Sequence, residues 1–385
     1  MAGVLAAAQM LVSGQTRQIR TEDVQRVSTK RQRIGFCTTS DGVRIAYATA
    51  GRGVPLLRVG GWMTHIEHDW NSPVWRHWLR ELSRDNMLAR FDVRGTGLSD
   101  RDPVEQSLEA WVRDTEAVAD SLGWQQFPIL GVCQGSAIAI RYAVRHPERV
   151  SRLVLYNAYA RGAFAPGMSD SRAAAADTLG RLIDVGWAQR TGAFREVFAR
   201  LLSPSDATEQ IAWWDELQRL TVDRATAGRL WREFHEIDIQ EMLPELRVPT
   251  LVAHVEDDAM VPFEAGRDLA GRIPDSQFLP LEGRNHILQP SDPGWRKFIT
   301  ETRRFLSPDP LEDVLSGAGF DELTRREREV LDQVARGLPN GVIASRLSLS
   351  PKTIRNHVSN ICGKLVVSGR SELVVEARNA GFGQI

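Results

Sequence analysis

The pentapeptide Gly131-Val132-Cys133-Gln134-Gly135 is the stretch of this chain whose residue types and spacing are best suited to chemistry. An apolar run over 127–132 precedes Cys133 and predicts a buried strand, and residues 136–146 predict a helix. A strand that turns sharply into a helix through G-x-nucleophile-x-G leaves the central side chain exposed above a sheet. Cys133 is therefore a candidate nucleophile. Taken alone, it would more commonly be a small buried residue.

The elements that would position Cys133 alternate between apolar strands and helices. Two alternating runs, at 33–38 and 43–48, lie on either side of Ser40-Asp41-Gly42 and predict a hairpin. Further strands are predicted at 54–59, 86–91, 150–156, 248–254 and 277–281. Helical segments separate most of them, and this alternation predicts a parallel sheet.

The elbow around Cys133, the loop Asp92-Val93-Arg94-Gly95-Thr96-Gly97-Leu98-Ser99 and the order of the later motifs resemble the α/β-hydrolase fold over about residues 34–306. The resemblance implies a catalytic acid after the strand at 248–254, on Asp258. Asp257 is the fallback acid. It also implies a catalytic histidine at His286.

The same resemblance implies an oxyanion hole made by the backbone N–H groups of Trp62 and Gln134. It further implies a helical cap, and residues 160–245 are helical in character. Aromatic side chains in such a cap pack partly against the ligand, which favours a small, largely apolar one. The residues predicted to line the pocket are Trp62, Met63, Trp187 and Trp214.

A change in composition marks a second domain over residues 320–385, after a linker at 307–319. Thr324 and Glu327 form a capping-box pattern, and Ser350 with Pro351 predicts the start of a later helix. Three short helices with a tight turn between the second and third predict a helix-turn-helix. No acidic residue occurs from Gln333 to Ser371, so the span is locally basic and suited to duplex DNA.

The sequence of this domain resembles the LuxR-type DNA-binding domain over about residues 320–380, including Thr353-Ile354-Arg355-Asn356-His357. Three residues on one face of the third helix are predicted to reach base edges: Arg355, Asn356 and Ser359. Three are predicted to contact phosphates: Lys352, Thr353 and Lys364. The fourth helix, with Leu373, Val374 and Ala377, is predicted to form a homodimer contact.

Composition sets further limits. The chain has 385 residues, a formal net charge of −1 and three cysteines. The cysteines contain no C-x-x-C pair, so we expect a cytoplasmic protein with free thiols, no metal site and no cofactor. No apolar run approaches the ~18 residues of a membrane span. Residues 1–33 lack the positive start of a signal peptide and are predicted to be a tail.

Together these features predict a ligand-responsive transcriptional regulator with a hydrolase-like sensor domain. Two alternatives stay open at this point. One is a working cysteine hydrolase, of esterase or lactonase type, with an attached DNA-binding module. The other is a receptor that binds its ligand without covalent chemistry, the triad being a relic.

Overall fold

The computed structural model describes residues 32–61, 63–187, 193–205, 208–306, 323–347, 349–365, 367, 369–379 and 382–383. The chain divides into two compact units, one ending at Leu306 and the other lying within Ser307–Ile385. Nearly all of the predicted tail, and the whole of the predicted linker, lie outside the described residues.

The first unit is built on an eight-stranded sheet in the order β1-β2-β4-β3-β5-β6-β7-β8. Its strands are β1 Arg33–Thr38, β2 Arg44–Ala50, β3 Val54–Val59, β4 Asn86–Phe91, β5 Phe127–Val132, β6 Val150–Tyr156, β7 Thr250–Val255 and β8 Gln277–Leu281. Strand β2 runs antiparallel to β1 and β4, and the remaining pairs are parallel. Every residue of β5 and β7 is buried, as expected for strands covered on both faces.

Helices cover both faces of the sheet. They are α1 Ile66–Asp69, α2 Arg76–Leu82, α3 Leu108–Ser121, α4 Gly135–Arg145, and, after the cap, α9 Phe263–Arg272 and α10 Gly294–Leu306. Parallel strands place their carboxyl ends at one edge of a sheet, and the loops after β3, β5, β7 and β8 therefore meet there. These are the loops on which the sequence places the predicted site.

A helical cap lies between β6 and β7, as predicted. It consists of α5 Asp170–Gly186, α6 Ala193–Leu202, α7 Thr208–Thr221 and α8 Arg224–Glu236, followed by a short 3₁₀ helix at Gln240–Glu245. Several cap aromatics pack on one another: Trp187 lies edge-on to Phe198, and Phe198 lies edge-on to Trp231.

The second unit contains four helices, α11 Arg325–Ala335, α12 Asn340–Leu347, α13 Pro351–Lys364 and α14 Arg370–Asn379. The predicted capping box is present, because Thr324 accepts from the Glu327 N–H and the Glu327 carboxylate accepts from the Thr324 N–H. Ser350 caps α13 by accepting from the Thr353 N–H at 3.1 Å, and Pro351 occupies the first turn.

The predicted dimer contact on α14 is wrong for two of its three residues. Leu373 and Ala377 are fully buried in the core of their own helical unit, beside Val330 and Ile354. The spacing of apolar residues on α14 identified a buried face, and that face packs within the chain.

Candidate active site and DNA-binding surface

The turn between β5 and α4 has the geometry of a nucleophile elbow. Cys133 adopts φ = 51°, a left-handed conformation that is strained for a residue with a side chain. Its N–H donates to the Tyr156 carbonyl at 2.8 Å, which ties the turn to β6. A Cβ atom on Gly135 would lie 2.2 Å from the Val59 oxygen, and one on Gly131 would lie 2.7 Å from the Ser136 Cα. Both elbow glycines are therefore required by close backbone approach.

His286 and Asp258 form a buried pair at the carboxyl ends of β8 and β7. His286 Nδ1 lies 2.6 Å from Asp258 Oδ2. The other carboxylate oxygen, Oδ1, accepts from the Met260 N–H at 2.8 Å, so the acid is fixed in orientation. Asp257, the fallback acid, is exposed, whereas Asp258 is buried. Of the two candidate acids, Asp258 is therefore the one that contacts His286.

The environment of His286 favours its charged form. Burial alone would lower the pKa of the His286 imidazole, but the Asp258 carboxylate and the Cys133 thiol outweigh burial and raise that pKa well above its ordinary value. Opposite charges within a few ångströms stabilise each other in this way. An imidazolium beside a thiolate is the arrangement that an activated cysteine requires.

Asn157, which sequence reasoning missed, holds the His286 loop in position through hydrogen bonds. It follows β6 directly and also has a left-handed backbone, with φ = 47°. Its Nδ2 donates to the His286 carbonyl at 2.8 Å, and its Oδ1 accepts from the Val255 N–H at 2.9 Å. Asn157 therefore joins the loop that carries the histidine to the strand that precedes the acid. An asparagine directly after a buried strand was the available signal.

A cavity opens above Cys133, between the sheet and the cap. Its volume is about 530 Å³ including the open mouth. The predicted Met63, Cys133, Gln134, Trp214 and His286 all line it. The cap leaves Cys133 only 6% exposed, so a ligand reaches the thiol through this cavity.

Two other residues predicted to contact the ligand, Trp62 and Trp187, are not among the described residues that line the cavity. Trp62, predicted for the oxyanion hole and the pocket, lies outside the described residues. Trp187 is not among the described residues that line the cavity: its indole is buried inside the cap, where Nε1 donates to the Val222 carbonyl at 3.0 Å. Trp231 and Phe198 line the cavity where Trp187 does not.

The Asp92–Ser99 loop has a structural role beside the site. The Asp92 carboxylate is fully buried and accepts from the Leu98 N–H at 2.9 Å and from the Ile66 N–H at 3.1 Å. Arg94 pairs with Asp114 and Asp41, at 2.8 and 2.6 Å. These contacts fix the loop that leads from β4 towards the cap.

The DNA-binding prediction concerns the exposed face of α13. Four of the predicted DNA contacts are exposed on this helix: Lys352, Arg355, Asn356 and Ser359. Thr353 is half-buried, and its hydroxyl lies 2.8 Å from that of Ser350 within the helix cap.

Lys364, which is predicted to contact a phosphate, has a charged partner within the unit. Its ammonium lies 2.8 Å from the Glu327 carboxylate, which pairs α13 with α11 inside the unit. Other basic residues of the acid-free span are also engaged internally: Arg336 pairs with Asp332 at 2.9 Å, and Arg370 donates to Asn340 at 2.6 Å. Among the predicted DNA contacts, Lys352 and Arg355 are the exposed cations on α13.

The fold and the site define a class. Residues 54–293 match the family described as alpha/beta hydrolase fold, and this match spans more than half of the chain. The chain therefore belongs to the alpha/beta hydrolase fold family. Residues 321–377 match the bacterial regulatory proteins of the luxR family, so a hydrolase-fold domain is joined to a LuxR-type helix-turn-helix domain, as predicted. The LuxR-type match supports DNA binding.

Known proteins resemble the first domain. The AB hydrolase superfamily protein YisY of Bacillus subtilis is 24% identical over 65% of this chain and 91% of its own length. The 2-hydroxymuconate semialdehyde hydrolase of a Pseudomonas strain is 34% identical over 32% of this chain and 42% of its own length. The crystal structure of the esterase RhEst1 from Rhodococcus superposes with a TM-score of 0.57 at 25% identity, over 71% of this chain and 98% of the esterase.

No helix within the described ranges is both long and apolar enough to cross a membrane.

Proposed function

We propose that this protein is a transcriptional regulator whose hydrolase-fold domain senses a small ester, lactone or acyl compound. Cys133 is the nucleophile, His286 its proton acceptor, and Asp258 the group that orients the histidine. The LuxR-type domain binds duplex DNA through α13. The observation that carries this proposal is a cysteine in the nucleophile elbow, on the cavity wall it shares with the buried 2.6 Å His286–Asp258 pair.

The choice of cysteine matters because of how a tetrahedral intermediate breaks down. When a thiolate attacks an ordinary ester, the intermediate can expel either the thiolate or the alkoxide. The thiolate is the better leaving group, so the intermediate returns to the ester and turnover is poor. A cysteine is better suited to activated acyl groups, to some lactones and to thioesters. Slow turnover suits a sensor, because the signal lasts as long as the ligand stays bound.

The oxyanion of that intermediate requires hydrogen-bond donors aimed into the cavity. Gln134 directly follows the proposed nucleophile in sequence and lies at the N-terminus of α4. A backbone N–H at a helix N-terminus also carries part of the positive end of the helix dipole. We propose Gln134 as one donor of the hole and Trp62 as the other.

The size and lining of the cavity set the ligand class. Its volume of about 530 Å³, which includes the open mouth, suits a compact ligand. Met63, Trp214 and Trp231 supply apolar walls. The names of two similar proteins, an esterase and a semialdehyde hydrolase, support a ligand with a carbonyl group.

Replacing Cys133 by serine is expected to raise the steady-state hydrolysis of ethyl butyrate by about 10-fold or more, because the intermediate then no longer favours expulsion of the enzyme's own nucleophile. The measurement is ethanol release by the full chain and by Cys133→Ser. In parallel, intact mass after incubation with 4-nitrophenyl butyrate should show a butyryl group on Cys133 of the unmodified sequence. Cys133→Ala is the control for both.

Two outcomes of this experiment support the alternatives. Sustained ethanol release by the cysteine protein, faster than by Cys133→Ser, would indicate a working cysteine hydrolase with an attached DNA-binding module. Absence of any adduct from the activated ester would indicate a non-covalent receptor.

We further propose that the protein acts in the cytoplasm, where DNA is accessible and free thiols persist. As a homodimer, it would bind an operator of two half-sites, in keeping with helix-turn-helix proteins. With Leu373 and Ala377 committed to the core, the dimer contact must involve other residues.

A further inference from the structure

Arg58 is a charged residue in the wall of the candidate active-site cavity. It lies in β3, whose neighbouring residues Leu56, Leu57 and Val59 are fully buried, and Arg58 itself is 2% exposed. It lines the cavity together with Cys133 and His286. An arginine in an apolar strand is costly unless its charge has a partner.

Within the described residues, the Arg58 guanidinium has no hydrogen bond or ion pair. Its Nε is buried without an acceptor. Its guanidinium carbon lies 4.0 Å from the centre of the Trp75 ring, a stacking contact that leaves the edge of the guanidinium fork unpaired. Burial lowers the pKa of Arg58 to about 10, and the group therefore stays charged at neutral pH.

The nearby carboxylates attract Arg58 but do not hydrogen-bond to it. Asp69 is fully buried, and its ion-pair partner is Arg90, with Nη1 and Oδ2 3.6 Å apart; within the described residues neither carboxylate oxygen of Asp69 has a hydrogen bond. Burial raises the pKa of Asp69 to about 7, so this carboxyl is partly neutral near neutral pH. Asp92 accepts backbone N–H groups, as described above. Neither carboxylate hydrogen-bonds to Arg58.

We propose that Arg58 binds a carboxylate on the ligand whose carbonyl carbon is attacked by Cys133. The planar guanidinium fork matches a carboxylate through two parallel hydrogen bonds. The ligand is then a compact acyl compound with apolar sides and one anionic end, such as the monoester of a short dicarboxylic acid. This inference rests on the proposed function, since it assumes that Cys133 is the reacting group. It adds one anionic end to the largely apolar ligand predicted from the sequence.

Two matched pairs of thiol reagents test the inference: iodoacetate against iodoacetamide, and 3-maleimidopropionate against N-ethylmaleimide. Each pair has an anionic and a neutral member, and the two pairs place the carboxylate at different distances from the sulphur. Thiolate sulphur displaces iodide from the first pair and adds to the maleimide double bond of the second. Rates at Cys133 are measured by intact mass and peptide mapping on the full chain.

For at least one pair, the ratio of the anionic to the neutral rate at Cys133 should exceed the ratio for glutathione by about 10- to 100-fold. Arg58→Met should remove this excess. A general effect of the substitution on the thiol changes both rates and cancels in the ratio. The His286 imidazolium attracts anions in the unmodified sequence and in Arg58→Met alike, so this attraction does not account for a difference between them. Arg284→Met, which removes an exposed arginine near His286, is the matched control for net charge and should keep the ratio.

An anionic-to-neutral rate ratio that is the same in the unmodified sequence and in Arg58→Met, while Cys133 still reacts with the neutral reagents, is one possible result. That result would overturn the inference about Arg58 but not the proposed function. Failure of Cys133 to react with any of the four reagents would instead overturn the proposed function. If Arg58→Met does not fold, a second measurement on the unmodified sequence decides the question: how well a bound ester protects Cys133 from alkylation. Monomethyl succinate should then slow alkylation at a lower concentration than dimethyl succinate, and the reverse order would contradict the inference.

Discussion

Replacing His286 by alanine is expected to slow the alkylation of Cys133 by iodoacetamide by about 100-fold or more at neutral pH. The reason is the buried site described above: burial disfavours a charged imidazole, but Asp258 and Cys133 together raise the pKa of His286 well above its ordinary value. The charged imidazole is thereby favoured, and a positive charge beside a cysteine favours the nucleophilic thiolate.

The two other cysteines provide internal references for this measurement. Burial, with a contribution from Asp114, raises the pKa of the Cys37 thiol to about 11. Burial also raises the pKa of the Cys362 thiol. Both are therefore mostly protonated at neutral pH, and Cys133 should be alkylated first. His146→Ala is the matched control, because His146 lies outside the site and pairs with Glu116 at 2.7 Å.

The pH dependence of Cys133 alkylation follows from the direction in which the pKa of His286 is shifted. A raised pKa of His286 means that its imidazolium persists at pH values where an ordinary histidine, near 6.5, has lost its proton. The difference in alkylation rate between the unmodified sequence and His286→Ala should therefore persist above about pH 6.5, and it should be lost only at the higher pH at which the His286 imidazolium loses its proton. Equal reactivity of all three cysteines, or no effect of His286→Ala, would mean that the triad does not activate Cys133.

Replacing Arg355 by alanine is expected to weaken operator binding by about 1–3 kcal/mol, roughly 5- to 150-fold, and to relax the base preference at one position of each half-site. Arg355 is exposed on α13, next to Asn356 and one turn before Ser359. The measurement uses an operator selected from a random-sequence duplex library and titrated with the full chain.

Lys352→Ala separates phosphate contact from base contact. It should weaken binding to all sequences alike and reduce the dependence of affinity on salt by about one phosphate contact. Arg84→Ala changes the net charge equally at an exposed position of the hydrolase-fold unit, and it should leave the affinity unchanged. Full operator affinity and unaltered base preference in Arg355→Ala would contradict the assignment of α13.

Much of the fold could be predicted because its signals are local. Apolar runs gave several strands their observed bounds, and the glycines on either side of Cys133 are required by backbone atoms close to them in the folded chain. The capping box at Thr324 depends on residues three positions apart. Such patterns are visible without knowledge of distant contacts.

Contacts between distant parts of the chain could not be predicted from local patterns. The ion pair of Lys364 depends on Glu327 of α11, 37 positions away. The position of Trp187 inside the cap depends on the Val222 carbonyl, which accepts from its indole. The roles of Asn157 and Arg58 depend on His286 and on the cavity, and neither is adjacent to them in sequence.

We propose that ligand capture in the hydrolase-fold domain controls DNA binding. The most direct test is the operator affinity of the protein with Cys133 modified. A library of small esters, lactones and acyl thioesters is first screened for compounds that add mass to Cys133. The operator Kd of the full chain is then measured with and without such a compound, beside Cys133→Ala. We predict a change in Kd of about 5- to 150-fold in the full chain and none in Cys133→Ala. An unchanged Kd with Cys133 fully modified by every capturing compound would contradict the account.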